Sequence, residues 1–147
     1  MTISKWTCVC VAAAAFASGF ALRGSVAPPV AHAQGNRVFE IRTYTAVPGR
    51  LDALNTRFRD HTVKLFTKHG MSHIGYWIPA DGEKANNTLV YILAYPSKEA
   101  AAKSWAAFRA DPEWNKARTE SEKDGPLLVK NGVQSVYMKP TDYSPMK

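Results

Sequence analysis

Beyond position 10 this chain of 147 residues has no cysteine, its two being Cys8 and Cys10. A disulfide framework is therefore excluded for nearly all of it, and stability there must come from core burial or subunit association. Acidic residues are missing before Glu40. Nowhere is charge of one sign concentrated: 19 Lys and Arg stand against 12 Asp and Glu, scattered and alternating, as in Lys98-Glu99 and from Lys116 to Lys123. No basic stripe can follow a phosphate backbone, so a nucleic-acid partner is not expected. No Gly-x-Ser-x-Gly elbow, phosphate-binding loop or dinucleotide fingerprint occurs after residue 33, and no low-complexity segment or short repeat intrudes.

What is present first is a segment unlike the rest. Lys5 supplies a positive start, and Trp6 to Leu22 is uncharged and rich in Ala, Val, Cys and Phe. After Arg23 a Pro-containing stretch closes with Ala31-His32-Ala33, the small-x-small pattern of a signal peptidase site. The expectation is a secretory signal over 1–33, cleavage after Ala33, a mature domain over 34–147 and a periplasmic or secreted location. Both cysteines would leave with the signal, as would Lys5 and Arg23, taking the formal charge from +7 to +5. The alternative is a retained anchor, although an apolar run of about 17 residues is short for a bilayer, which needs about 20. After cleavage no membrane association is expected. A lipid-modified cysteine would have to end the apolar run, whereas Cys8 and Cys10 begin it.

Within the mature region, Val38 to Thr45 alternates with the period of a strand. Pro48-Gly49 turns the chain, and Leu51, Leu54, Phe58, Leu65 and Phe66, with His61 in register, mark a long amphipathic helix that Gly70 stops. Ser72 to Ile78 and Thr88 to Tyr95 read as strands of a hairpin, separated by the polar loop 79–87. Ser97 is a good N-cap for a second helix with Ala101, Trp105 and Phe108 on its buried face. Asp111-Pro112 starts another, which Gly125-Pro126 ends, and Val133 to Met138 is the last strand. The order β-α-β-β-α-(α)-β is an α+β, ferredoxin-like arrangement: a four-stranded antiparallel sheet with the main helices on one face. The other face needs a cover. If Phe39, Ile41 and Thr43 face the helices, then Val38, Glu40, Arg42 and Tyr44 face outward, and a homodimer with facing sheets follows.

The stretch Phe39-Glu40-Ile41-Arg42-Thr43-Tyr44 with Val47-Pro48-Gly49, and Arg57-Phe58-Arg59-Asp60-His61-Thr62 after it, resembles the start of NIPSNAP domains. Lys68-His69-Gly70, Gly75-Tyr76-Trp77, Asn87-Thr88-Leu89-Val90-Tyr91 and Trp105 to Trp114 extend the resemblance over nearly all of 34–147. It implies a dimeric α/β barrel, two ferredoxin-like sheets closing around a shared cavity. It implies no reaction, because the family has no single agreed activity and fold analogy does not supply one.

His61, one helical step from Phe58 and Leu65, would turn an imidazole inward as acid, base or ligand; the plain alternative is a core histidine bonded to backbone. Arg42 and Glu40 share a face of the strand, where Arg42 could bind an anion or polarise a carbonyl while Tyr44 donates a hydrogen bond; the alternative is a salt-bridged interface. His61, Arg42 and Tyr44 are thus the candidate catalytic residues, and Glu40, Tyr76, Trp77, Tyr91 and Trp105 the candidate ligand-binding ones. No metal is expected: Gly70 breaks the helix that would align His69 with His73. No cofactor is expected either, with haem through His61 or His73 a minor alternative lacking any Cys-x-x-Cys-His motif. The expected function is binding or transforming a small aromatic or carbonyl compound in the dimer cavity. The alternative is a non-catalytic structural or protein-interaction dimer.

Overall fold

The structure, a computed structural model, describes residues 37–147, so the expected signal and its cleavage site lie outside the described residues. Strand β1 (Val38–Ala46) leads into α1 (Leu51–Arg57), which continues through a π turn (Phe58–Thr62) into α2 (Val63–Lys68). Then come β2 (Ser72–Trp77), a 3-10 turn (Glu83–Asn86), β3 (Thr88–Tyr95), α3 (Lys98–Ala110), α4 (Pro112–Ser121) and β4 (Leu128–Met138). The strands lie in the order β2-β3-β1-β4, each neighbouring pair antiparallel. This is the ferredoxin-like sheet expected from the element order.

Local chemistry sets the helix starts. The Ser97 hydroxyl accepts the Ala100 amide at 3.1 Å, and the Asp111 carboxylate accepts the Glu113 amide at 2.8 Å, with Pro112 in the first turn where its missing N–H costs nothing. Asp111 also takes His69 Nε2 at 2.7 Å and Lys68 Nζ at 2.9 Å, tying the end of α2 to the start of α4.

One face of the sheet carries the core. Leu54, Phe66, Tyr91 and Leu93 are fully buried there with Phe58, Trp105 and Phe108, and each large apolar side chain contributes roughly 1.5–3 kcal/mol by leaving water. The facing of β1 is opposite to the expectation. Arg42 pairs across the sheet with Tyr91 and Ser135, and Tyr44 with Leu89 and Val133, on the helix side; Phe39, Ile41 and Thr43 point to the open side. Parity reverses because Glu40 and Arg42 satisfy each other under the helices, which leaves the more apolar set outward. Ile41 there lies between Ile92 and Val136, and Phe39 between Ala94 and Met138. Trp77, half exposed, lies across Gly75, where a Cβ would come within 2.5 Å of the indole. From the C-terminal segment, Pro140 and Met146 gather over Phe39, Ile92 and Met138, leaving a small hollow of about 210 Å³.

The last strand also begins five residues earlier than expected. Asn131, with φ of 59°, and Gly132 belong to an irregularity opposite Thr45, not to a turn before the strand. A Cβ on Gly132 would meet the Thr45 carbonyl at 2.7 Å, so the crossing is built around glycine.

Candidate functional site

Between the helix side of the sheet and the helices is a cleft of about 390 Å³. Its sheet wall is Arg42, Tyr44, Leu128 and Val133; its helix walls carry Arg57, Phe58, Thr62, Trp105 and Trp114. The cleft is therefore formed within one chain, not between two sheets.

Beneath it lies Glu40, 1% exposed. Its Oε1 accepts Arg42 Nη1 at 2.7 Å and Ser135 Oγ at 2.5 Å, and its Oε2 accepts Trp105 Nε1 at 2.7 Å and Tyr95 Oη at 2.9 Å. Burial by itself would raise the Glu40 carboxyl, but the hydrogen bonds from Ser135, Trp105 and Arg42 outweigh it and hold the group below its ordinary range. Arg42 is shifted up. Burial opposes its charge, while Tyr44, Tyr91 and the Glu40 bond more than offset that, so the guanidinium stays charged. It lies 4.2 Å from the Trp105 ring centroid and 5.6 Å from that of Tyr44, a cation held on aromatic faces. Its Nε is buried with no hydrogen-bond partner among the described residues.

A second arginine repeats this arrangement. Arg57, 3% exposed, gives Nη1 to Glu122 at 2.9 Å and to Ser121 Oγ at 3.3 Å, sits 5.2 Å from the Trp114 ring centroid, and likewise has an Nε without a partner among the described residues. The π turn supports this placement. By spreading one extra residue over its turn it brings Arg57, Phe58 and Thr62 to the inner side together, and the Thr62 hydroxyl donates to the Arg57 carbonyl at 3.2 Å. Arg109 and Arg118 complete the lining with Glu122.

Of the candidate residues, Arg42, Tyr44 and Trp105 meet at the cleft, with Glu40 immediately below. Tyr91 is fully buried behind Tyr44, the two rings meeting edge-on at 5.2 Å, and its hydroxyl has no partner among the described residues. His61 is not at the cleft: it is exposed on the outer side of the π turn, and Thr62 takes the inward place. Tyr76 and Trp77 are not there either. Tyr76 stacks on Tyr91 and lines a separate, shallower groove at the β2 edge with Trp77. His73 Nδ1 and the Tyr76 hydroxyl are 2.5 Å apart, and His73 Nε2 and the Thr67 hydroxyl 2.8 Å. With both nitrogens engaged, His73 offers none to the cleft. Burial lowers its pKa and pushes the Tyr76 phenol up to about 12. Among the described residues no three His, Cys, Asp or Glu side chains gather into a metal-binding group, and no helix is long and apolar enough to cross a membrane.

Arg57 and Trp114 were not singled out from sequence. The available signal was Arg57 standing three residues after Leu54 on an apolar stripe, a charge where the helical period demands burial.

The sequence profile of NIPSNAP matches residues 39–145. The chain belongs to the NIPSNAP family. Among solved structures it is similar to a NIPSNAP family protein of unknown function from Agrobacterium tumefaciens, at 26% identity and a TM-score of 0.65, over 77% of this chain and 96% of that one. It is also similar to an uncharacterized NIPSNAP-like domain protein from Burkholderia xenovorans, at 24% identity and a TM-score of 0.65, over 76% and 90% of the two chains. A second Agrobacterium tumefaciens NIPSNAP family protein shares 19% identity at a TM-score of 0.64, covering 76% of this chain and 99% of that one, and shows the fold alone. No curated protein matches. NIPSNAP membership thus accounts for the fold and leaves the chemistry to be read from the cleft.

Proposed function

We propose that this NIPSNAP protein is exported, pairs through its open sheet face, and binds in each subunit's cleft a small organic anion with an apolar, planar body. One observation carries the reading: the Arg42 guanidinium is fixed by Glu40, spread on Trp105, and keeps 15% exposure at a cleft walled by aromatics. A carboxylate or enolate oxygen would pair with that guanidinium in a charge-assisted bond, and the flat body would lie against the rings. Turnover through the three residues first considered is not supported, because His61 does not converge with Arg42 and Tyr44. Binding is the function the geometry favours.

The sheet face supports pairing with a second copy. Beyond the part that the C-terminal segment covers, Ile41, Val136 and Trp77 present an apolar surface, with Val136 57% and Trp77 50% exposed, and such a surface suits association. The non-catalytic structural dimer is the second reading, favoured by the apolar surface of the open face alone. The two are separated by ligand binding. A panel of aromatic and aliphatic carboxylates is assayed by thermal shift on the parent protein and on Arg42→Ala. A carboxylate at about 100 times its Kd adds about 2.7 kcal/mol. If no carboxylate shifts the melting temperature, or if Arg42→Ala leaves the shift intact, the binding reading is wrong and the structural dimer stands.

A further inference from the structure

Resting on that reading, we infer that the ligand carries two separated anionic groups, one for Arg42 and one for Arg57, with its apolar body between them. Both arginines engage a carboxylate through Nη1, Arg42 to Glu40 and Arg57 to Glu122, and both line the cleft. A guanidinium carries five N–H donors in a planar fork, so an arginine that gives Nη1 to one carboxylate keeps donors for a second. Two arginines at one cleft, each held against a tryptophan ring, offer two positions for acidic groups from outside the chain.

The charges agree with that count. Arg42, Arg57, Arg109 and Arg118 line the cleft, against Glu122 in its wall and Glu40 below, a surplus of two positive charges that a dianion balances and a monoanion leaves half met. The aromatics set the spacing. Arg42 lies on Trp105 and Arg57 on Trp114, and Phe108 sits between the tryptophans at 5.6 Å and 4.4 Å between ring centroids. The two forks therefore flank an aromatic floor, as an aryl or short alkyl dicarboxylate requires, and are not focused on one small anion.

The test is calorimetric titration of the full chain with benzoate, benzene-1,4-dicarboxylate and sulfate, the last a dianion too compact to reach both arginines. The dicarboxylate should bind about tenfold or more tighter than benzoate or sulfate, as expected from a second charge-assisted contact. Arg42→Lys and Arg57→Lys, which keep the charge but remove the fork, should each abolish the advantage. If Arg57→Lys does not fold, Glu122→Gln serves instead: it frees Arg57 from its ion pair and should widen the dicarboxylate's advantage over benzoate. Equal affinity for benzoate and the dicarboxylate, an advantage that survives Arg57→Lys or does not widen in Glu122→Gln, or sulfate binding as tightly as the dicarboxylate, overturns the two-anion inference while leaving the single-anion cleft intact. Failure of all three probes overturns both.

Discussion

Replacing Glu40 by glutamine changes one oxygen to an amide nitrogen at a position with four donors aimed at it. If the nitrogen takes the place of Oε1, the Ser135 hydroxyl can reverse and accept, but Arg42 Nη1 cannot. If it takes the place of Oε2, Tyr95 can reverse, but Trp105 Nε1 cannot. Either way one N–H is stranded, a penalty of about 1–3 kcal/mol, and Arg42 loses its counter-charge, for which breaking a buried pair costs roughly 3–5 kcal/mol. These overlap, and Arg42 keeps 15% exposure toward the cleft, so the lower end applies: about 3 kcal/mol, or roughly 12–20 °C in melting temperature for a domain of this size. The assay is denaturant and thermal unfolding of parent and Glu40→Gln followed by circular dichroism. The pH dependence has a defined sign. Glu40 is depressed below its ordinary 4.5 in the fold, so its contribution is fully present above that value and is lost as pH falls through the lower folded one. The gap between the two proteins should therefore be widest near neutrality and close in acid. A difference under about 1 kcal/mol at pH 7, below the least that a stranded buried donor costs, would refute the view that Glu40 is the organising acceptor of the site.

Val136→Lys, at a position 57% exposed on the open sheet face, should convert a micromolar dimer to monomer in sedimentation with unchanged circular dichroism; a parent protein that sediments only as monomer refutes the pairing. In an ultraviolet titration Tyr76, Tyr91, Tyr95 and Tyr137 should ionise above the ordinary value of 10.0, because burial raises each of them. Their contribution is complete below that value and lost as pH rises through the folded ones, so their ionisation should coincide with alkaline unfolding; four early, reversible ionisations in the folded protein contradict their packing. Intact-mass analysis of the exported fraction should find a chain beginning at Gln34, and a product retaining Met1 contradicts cleavage.

Much of the fold was legible because local signals agreed with it. The Ser97 and Asp111 caps, the Pro48-Gly49 turn and the alternation of β1 each have causes within a few residues. The facing of β1 does not. Glu40 is buried because Trp105, 65 positions away, and Ser135, 95 away, supply donors, and nothing within the strand announces them. His61 was misplaced for a different reason: an α-helical count treats it and Thr62 as near neighbours on one stripe, and only the π turn decides between them. Arg42, Tyr44 and Trp105 were expected to line a cavity between two sheets, and the structure brings them together at a cleft on the opposite face, whereas Arg57 was not among the candidates.

The π turn has a consequence for chain length. Such a turn takes up one residue more than an α turn, so the segments on either side face as they would in a continuous helix one residue shorter. Arg57 upstream and Phe66 downstream both keep inward directions. The surplus falls among Arg59, Asp60 and His61, all exposed, so the helix can lose one of these residues and still present the cleft. A single-residue loss within α2 has no such reserve, and would turn every following inward side chain by about 100°.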